Sequence, residues 1–177
     1  MYAPRGKGFK ETEMRALFAF VILASMSAAV SCGAAPLSPG GEPLTLTRLR
    51  AEPYSYTFYS GLDAQRRTIV RNAAQWQEIW TEIWKRTSPT PALPSIDFER
   101  EMVIVAAMGS MPTGGYSIVI ESAAESGRNV NVVIRSASPG RNCGVTQAIT
   151  QPVDIARVTR RDATVTFTER AETFSCN

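Results

Sequence analysis

The stretch from Met102 to Ile120 constrains the fold of this chain more than any other part of its sequence. Seven consecutive apolar residues, Met102–Met108, end in a loop rich in glycine, proline and threonine, and an alternating segment follows. An uninterrupted apolar run suits a strand buried on both faces, whereas alternation suits a strand with one buried face. We therefore expect two strands at the centre of one sheet, joined by a loop that Pro112 and Gly114–Gly115 shape.

This loop is the candidate binding site. Rigid scaffolds tend to carry function on loops, and a loop stiffened by proline and by strand ends loses little entropy on binding. The alternative interpretation is a tight structural turn. If the loop binds a partner, Tyr116→Ala and Gly114→Asp weaken that binding without lowering the melting temperature. The candidate residues are Met111, Pro112, Thr113, Gly114, Gly115 and Tyr116.

One helix and a series of short strands make up the rest of the predicted domain. Trp76, Trp80 and Trp84 recur at helical spacing within 72–85, where Asn72 suits an N-cap, and such an aromatic stripe is usually core. Strands are predicted at 44–46, 54–59, 68–70, 102–108, 116–121, 130–135, 145–150, 153–158 and 164–168. The fold class is therefore α+β, a mainly antiparallel, sandwich-like β-sheet with one amphipathic Trp-rich helix covering the central strand.

The N-terminal segment has the pattern of an export signal. Residues 16–30 are apolar except for two serines, which is the length of a signal-peptide core. Residues 1–31 are interpreted as a signal peptide, with Met14 as an alternative start. Residues 29–32 resemble a bacterial lipoprotein cleavage box, although alanine replaces its usual leucine, so Cys32 is the expected lipidation site. Ordinary secretion and an uncleaved anchor are the alternatives.

After the leader, residues 32–43 are expected to be a flexible tether and 44–177 a single domain. The leader carries four of the 19 basic residues and two of the 16 acidic ones, which leaves 15 and 14. This near-neutral balance argues against a nucleic-acid-binding surface. With Cys32 lipidated, Cys143 and Cys176 are the two remaining cysteines, and an even pair in an exported chain predicts a disulfide.

The side chains available for catalysis are few. The chain has no histidine, which removes Ser-His-Asp and Cys-His nucleophile systems, and Lys85 is the only lysine after the leader. Asp97, Glu99 and Glu101 alternate and share one face if their segment is extended, but a solvated strand entrance explains them better. We expect neither enzymatic activity nor a cofactor or metal. Four arginines form either a patch for an acidic partner or scattered surface charge: Arg141, Arg157, Arg160 and Arg161.

Three motifs in this order resemble the C-terminal domain of the protease complex subunit PrcB family. They are Asp97-Phe98 ahead of an apolar strand, the Pro-Thr-Gly-Gly-Tyr loop at 112–116, and Thr-Gln-Ala-Ile-Thr-Gln-Pro at 146–152. The tryptophan helix fits as well, and the resemblance covers about residues 56–170. Members resemble exported bacterial proteins, often lipoproteins, and the namesake associates with and stabilises a secreted protease. The resemblance implies protein binding at the cell envelope.

The loop alone also resembles the Asn-Pro-Thr-Thr-Gly-Tyr loop of chagasin-type cysteine-protease inhibitors. Pro112, Thr113, Gly115 and Tyr116 match, whereas Met111 and Gly114 depart from that motif. The expected function is an exported, membrane-anchored module of the bacterial envelope, periplasmic or at the cell surface, that binds or stabilises a protease. The alternatives are a protease inhibitor and a small-ligand carrier, and the carrier requires an apolar cavity beside the tryptophan helix.

Overall fold

A computed structural model of the chain describes residues 41–50 and 58–176. The predicted signal peptide at 1–31, the expected lipidation site Cys32, the expected tether up to residue 40 and most of the predicted strand at 54–59 lie outside these residues. None of the helices within the described ranges is long and apolar enough to cross a membrane.

The described residues form two four-stranded sheets and one helix. The elements are β1 (Glu42–Pro43), β2 (Thr47–Arg48), β3 (Arg66–Val70), α1 (Ala73–Ile83), β4 (Glu101–Ala107), β5 (Ser117–Ser126), β6 (Asn129–Pro139), β7 (Val153–Thr159) and β8 (Thr164–Phe174). One sheet has the order β1-β5-β6-β8 and the other β2-β7-β4-β3. Every pair is antiparallel except β6 with β8, which is parallel. The predicted α+β, mainly antiparallel and sandwich-like fold is confirmed.

Strand β4 is buried on both faces, as its apolar run predicts. Met102, Ile104 and Ala106 belong to a core cluster shared with β5 and β6 of the other sheet. Val103 and Val105 belong to a second cluster shared with the tryptophans of α1. The strand therefore separates two cores, which explains why none of its central positions is polar.

Helix α1 begins and packs as its sequence predicts. The backbone N–H of Gln75 donates to the Asn72 side chain at 2.9 Å, which caps the first turn. Trp76 and Trp80 are buried, with their ring centroids 5.1 Å apart. Their indole N–H groups donate to the carbonyls of Pro94 and Pro91. The tryptophan stripe is thus core that is hydrogen-bonded to the proline-rich connector.

The placement of the central loop differs from the prediction. Strands β4 and β5 were expected to be neighbours at the centre of one sheet, but each is an inner strand of a different sheet. The loop between them therefore crosses from one sheet to the other at an end of the sandwich. Local patterns report how many faces of a strand are buried, and they do not report which strand lies beside it.

Two predicted strands have a different form in the structure. The segment 145–150 has a single bridge, between Thr150 and Met111, because it passes over the end of the sandwich. At 44–46 the apolar pattern correctly marks Leu44 as buried. The residues that pair with a neighbouring strand lie before and after that segment. The chain leaves β1 in one sheet there and enters β2 in the other.

Candidate binding surface

The candidate loop starts from a position that requires glycine. Gly109 has a φ of +79°, and a Cβ there would lie 2.8–2.9 Å from backbone atoms of residues 63–65. The next residue, Ser110, donates its N–H to the carbonyl of Asp63 at 3.0 Å. The start of the loop is therefore packed directly against the backbone that leads into β3.

The loop is then held by the segment 146–150. Met111 and Thr150 exchange both backbone hydrogen bonds, at 2.7 and 3.0 Å, and the N–H of Gly114 donates to the carbonyl of Thr146 at 2.9 Å. The hydroxyl of Thr150, which is buried, donates to the carbonyl of Thr113 at 2.8 Å. Four hydrogen bonds thus fix the loop along its length, so it is preformed rather than shaped by a partner.

The predicted site residues differ in their exposure. Pro112 and Gly115 are exposed, Met111, Thr113 and Tyr116 are half-buried, and Gly114 is buried. A side chain at Gly114 would collide with the hydroxyl of Thr146. Gly114→Asp is therefore expected to disturb the fold as well as any binding, and exposed neighbours make better probes of the surface.

Large apolar side chains are exposed on the segments next to this loop. Ile149 is 63% exposed, Tyr59 58% and Phe58 44%. The N–H of Gln151 donates to the carbonyl of Phe58 at 2.6 Å, and Tyr59 bridges Gln151. The segment 149–151 thus lies between 58–59 and Met111. We call the exposed parts of residues 58–59, 111–116 and 149 the end surface.

Sequence reasoning missed the apolar part of the end surface. Tyr59 and Ile149 lie in the predicted strands 54–59 and 145–150, and neither was a candidate site residue. No local signal in the sequence marks them as exposed, because their exposure depends on where the sandwich ends.

Hydrogen bonds of buried polar groups join the segments that carry the end surface. Ser60, which has no exposed area, donates its hydroxyl to the carbonyl of Gln151 at 2.9 Å. The Gln151 side chain is also buried and donates to the hydroxyl of Ser110 at 3.4 Å. These contacts connect all three segments, and because buried polar groups are costly to leave unpaired, they favour one arrangement of the surface.

Asp63 pairs with the charged side chains next to the loop. Its carboxylate accepts hydrogen bonds from Arg86 at 2.9 and 3.0 Å, from Lys85 at 3.4 Å and from the hydroxyl of Ser110 at 3.2 Å. The hydrogen bond from Arg86 is the main cause that lowers the pKa of Asp63 below its ordinary value. The ionised carboxylate therefore joins the end of α1 to the start of the loop.

The disulfide between Cys143 and Cys176 joins the segment before 146–150 to the end of β8, with the two Cα atoms 4.9 Å apart. The N–H of Gly140 donates to the carbonyl of Phe174 at 2.8 Å beside it. Val145, two residues further on, lies against Gly115 of the loop. The disulfide is therefore connected to the end surface by residues 143–145.

The remaining candidates are the carboxylates at 97–101 and the four arginines. Residues 97–101 form a turn, in which the N–H of Glu101 donates to the carbonyl of Asp97 at 2.7 Å. The backbone there is not extended, so the condition for aligning the three carboxylates on one face is not met. Three of the four arginines are paired with acids, which offset their charge: Arg157 with Glu101, Arg160 with Asp162 and Arg161 with Glu125.

A depression of about 190 Å³ lies beside α1, next to β3. Ile69, Val70 and Ile79 contribute to its lining, and Arg66 and Glu82 form an ion pair of 2.5 Å there. This mixed, charged surface does not favour the apolar cargo that the carrier alternative requires. In the described ranges, no three residues of the types His, Cys, Asp and Glu are grouped so that they could hold a metal ion.

Comparison with known proteins gives one match. Residues 102–159 match the family described as PrcB C-terminal. This stretch runs from β4 to β7 and includes both the 111–116 loop and the segment that holds it, so the resemblance inferred from those motifs is confirmed there. No curated protein and no solved structure matches the chain.

Proposed function

We propose, from the relationship of residues 102–159 to the PrcB C-terminal family, that this protein is an exported, membrane-anchored module that binds another protein through its end surface. The family name connects its members with a protease complex, and we propose an envelope protease as the partner. The role is non-catalytic: the module holds or stabilises the protease.

The observation that carries this proposal is the combination of a rigid loop with exposed apolar side chains. Pro112 and Gly115 lie at the exposed part of a loop that is already fixed by backbone hydrogen bonds. Ile149 and Tyr59 expose most of their side chains beside it. Exposed apolar clusters next to polar groups are typical of protein-binding sites, and a preformed loop reduces the entropy lost on association.

The first described strand and the end surface lie far apart along β5. The chain enters the domain at β1, where Glu42 lies opposite Glu125 near the end of β5. The loop precedes Ser117 at the other end of β5, about 30 Å away at the rise of an antiparallel strand. Strand β1 therefore lies at the end of β5 opposite to the end surface.

The contact surface is tested by capturing partners with matched baits. The full chain and its Ile149→Glu, Tyr59→Ala and Leu93→Glu variants are cross-linked in their own cells and purified, and co-purified proteins are identified by mass spectrometry. Leu93 is the control, because it is an exposed apolar residue of the proline-rich connector. We expect a protease that wild type and Leu93→Glu recover and that the two end-surface variants lose.

Equal recovery by all four baits would show that the end surface is not the contact site. Melting temperatures of the four proteins are compared, because both end-surface substitutions remove exposed apolar groups and should leave stability within about 0.5 kcal/mol of wild type. A bait that unfolds is replaced by Pro112→Ala.

Stabilisation and inhibition of the protease give opposite changes in peptidase activity. A stabiliser prolongs the activity of the recovered protease on storage or heating. An inhibitor lowers its initial rate in proportion to the amount of module added. The inhibitor alternative is supported by exposed Pro112 in the chagasin-like loop. It is rejected if papain-type cysteine proteases keep their full rate at a large molar excess of the chain.

The lipid anchor is tested separately. Cells fed a fatty-acid analogue should label the wild-type chain, and Cys32→Ala should remain unlabelled and leave the membrane fraction. An unlabelled wild-type chain would reject the anchor and favour ordinary secretion, and the end-surface experiment would keep its meaning in either case.

A further inference from the structure

The edge of the sheet at β8 is long and open. β8 runs for 11 residues, Thr164–Phe174, and lies last in the order β1-β5-β6-β8. It pairs with β6 along its whole length, and no other described strand pairs with its second edge. Residues 168–174 are all exposed. Such an edge offers a row of backbone donors and acceptors to another strand.

The backbone hydrogen bonds show which residues of β8 direct their N–H and C=O groups toward β6 and which direct them toward the open edge. Thr164 donates its N–H to Arg128, and Phe174 accepts from Gly140, so the even-numbered residues at both ends bond toward β6. In a regular parallel ladder the residues between alternate in the same way. The N–H and C=O groups of the odd-numbered residues therefore point to the open edge; they are Val165, Phe167, Glu169, Ala171 and Thr173.

Charge favours one way in which two copies of this edge can pair. A two-fold axis perpendicular to the sheet pairs the strands antiparallel and passes midway between the two copies of one residue. An axis at Glu169, Arg170 or Glu172 places two like charges opposite each other, which is destabilising. An axis at Ala171 places Arg170 opposite Glu172 of the partner subunit, and Glu172 opposite Arg170 of the partner subunit.

This register agrees with the backbone pattern as well. Ala171 would exchange both backbone hydrogen bonds with its own counterpart, and Glu169 would do so with Thr173 of the partner subunit. Arg170 and Glu172 would then occupy non-hydrogen-bonded positions, where opposite side chains approach each other most closely.

The same pairing extends a charge network that is already present in the sheet. Arg170 bonds Glu121 on β5 at 3.0 Å, and Arg135 on β6 bonds Glu172 at 2.6 Å. Charged side chains on an edge strand usually discourage pairing, but here the alternation of sign continues across the axis. We propose that two copies of this chain pair antiparallel along β8, centred on Ala171, to form a continuous eight-stranded sheet.

A charge swap tests the proposal. Arg170→Glu and Glu172→Arg each place like charges at both symmetric positions, and the double variant restores opposite charges. Sedimentation velocity of the detergent-solubilised full chain, with the detergent density-matched, should give a dimer for wild type. Each single variant should have a dimer dissociation constant about tenfold higher, and the double variant should return toward wild type.

Arg100→Glu is the matched control, because Arg100 is 86% exposed and lies in the turn before β4, where it pairs with Asp97 and not with a residue of β8. It should dimerise like wild type. If the double variant dimerises no better than the singles, the proposed register is wrong. A wild-type chain that is monomeric at every concentration overturns the proposal and leaves an extended segment of another protein as the occupant of the edge.

Cross-linking gives a second measurement that does not depend on charge. Ala171→Cys places two thiols on opposite sides of the axis. In a hydrogen-bonded antiparallel pair the two residues are close enough to form a disulfide. Thr173→Cys places them about 13 Å apart at the rise of a strand. The Ala171 variant should form covalent dimers under mild oxidation and the Thr173 variant should not. Equal cross-linking of the two variants would contradict the two-fold pairing.

Discussion

Gly109 shows how one residue can be required by its surroundings as well as by its own backbone. Its φ of +79° is unfavourable for any other residue, and a Cβ would meet only backbone atoms, which have little room to move. Gly127, in the β5–β6 turn, also has a positive φ of +60°, but a Cβ there would meet nothing within 4 Å. A comparison of substitutions at Gly109 and Gly127 therefore distinguishes the cost of backbone strain from the cost of steric overlap.

We expect Gly109→Ala to lower the free energy of unfolding by about 2–4 kcal/mol, from strain and overlap together. Gly127→Ala, the control, should lose only about 1–2 kcal/mol from strain. Urea unfolding of the two variants measures the difference. Equal losses would mean that the backbone around residues 63–65 moves away from residue 109 at little cost.

Asp63 gives the protein a defined response to acid. Its pKa is lowered in the folded state, first by the hydrogen bond from Arg86, whereas an unfolded aspartate titrates near pH 4. The ionised carboxylate therefore contributes stability above about pH 4, and this contribution disappears as the pH falls through the folded-state pKa. We expect the stability difference between wild type and Asp63→Asn to be present at pH 6 and to shrink toward pH 2.

Arg86→Gln supplies the control for this pH dependence. Because Arg86 is the main cause of the lowered pKa, Asp63→Asn should change the acid limb of the stability curve less in that background than in wild type. An identical change in both backgrounds would assign the lowered pKa to Lys85 or Ser110. Denaturant unfolding between pH 2 and 6 measures all four proteins.

At the scale of elements, α1 is the one whose ends and packing follow most directly from local sequence. The Asn72 side chain accepts the N–H of Gln75, which is otherwise unpaired in the first turn. Asn72→Ala should destabilise the protein by about 1 kcal/mol, whereas Asn72→Asp should retain most of the stability, because it keeps the accepting oxygen. Thermal unfolding compares them; equal losses would show that the cap oxygen is not the stabilising group.

Strand β8 has ends that its local sequence predicts less well. Alternation marks 164–168, where Val165 and Phe167 pack against the core, but the strand continues to Phe174 through exposed, charged residues. Pairing with β6 sets this length, because β6 provides a partner for each residue up to Pro139. The parallel direction follows from the return of the chain through β7 in the other sheet.

At the scale of the whole molecule, the disulfide joins the end of β8 to the chain below the end surface. A bridge between residues 33 apart stabilises by about 3–4 kcal/mol in the chain-entropy model. The double variant Cys143→Ser/Cys176→Ser should lose about that much stability, and its amide exchange should rise most at residues 140–150 and 172–175. Unchanged exchange at 140–150 would show that the 146–150 hydrogen bonds alone hold the segment.

The sequence by itself determined the helix with its cap, the double burial of β4, the β5–β6 hairpin, and the resemblance of residues 102–159 to one family. These depend on periodicity and on capping groups, which act over a few residues. Only the tertiary structure decided that β4 and β5 belong to different sheets, that Gly114 is enclosed by Thr146, and that Ile149 and Tyr59 are exposed beside the loop. Burial patterns state that a side chain needs a partner, and long-range pairing decides which partner it finds.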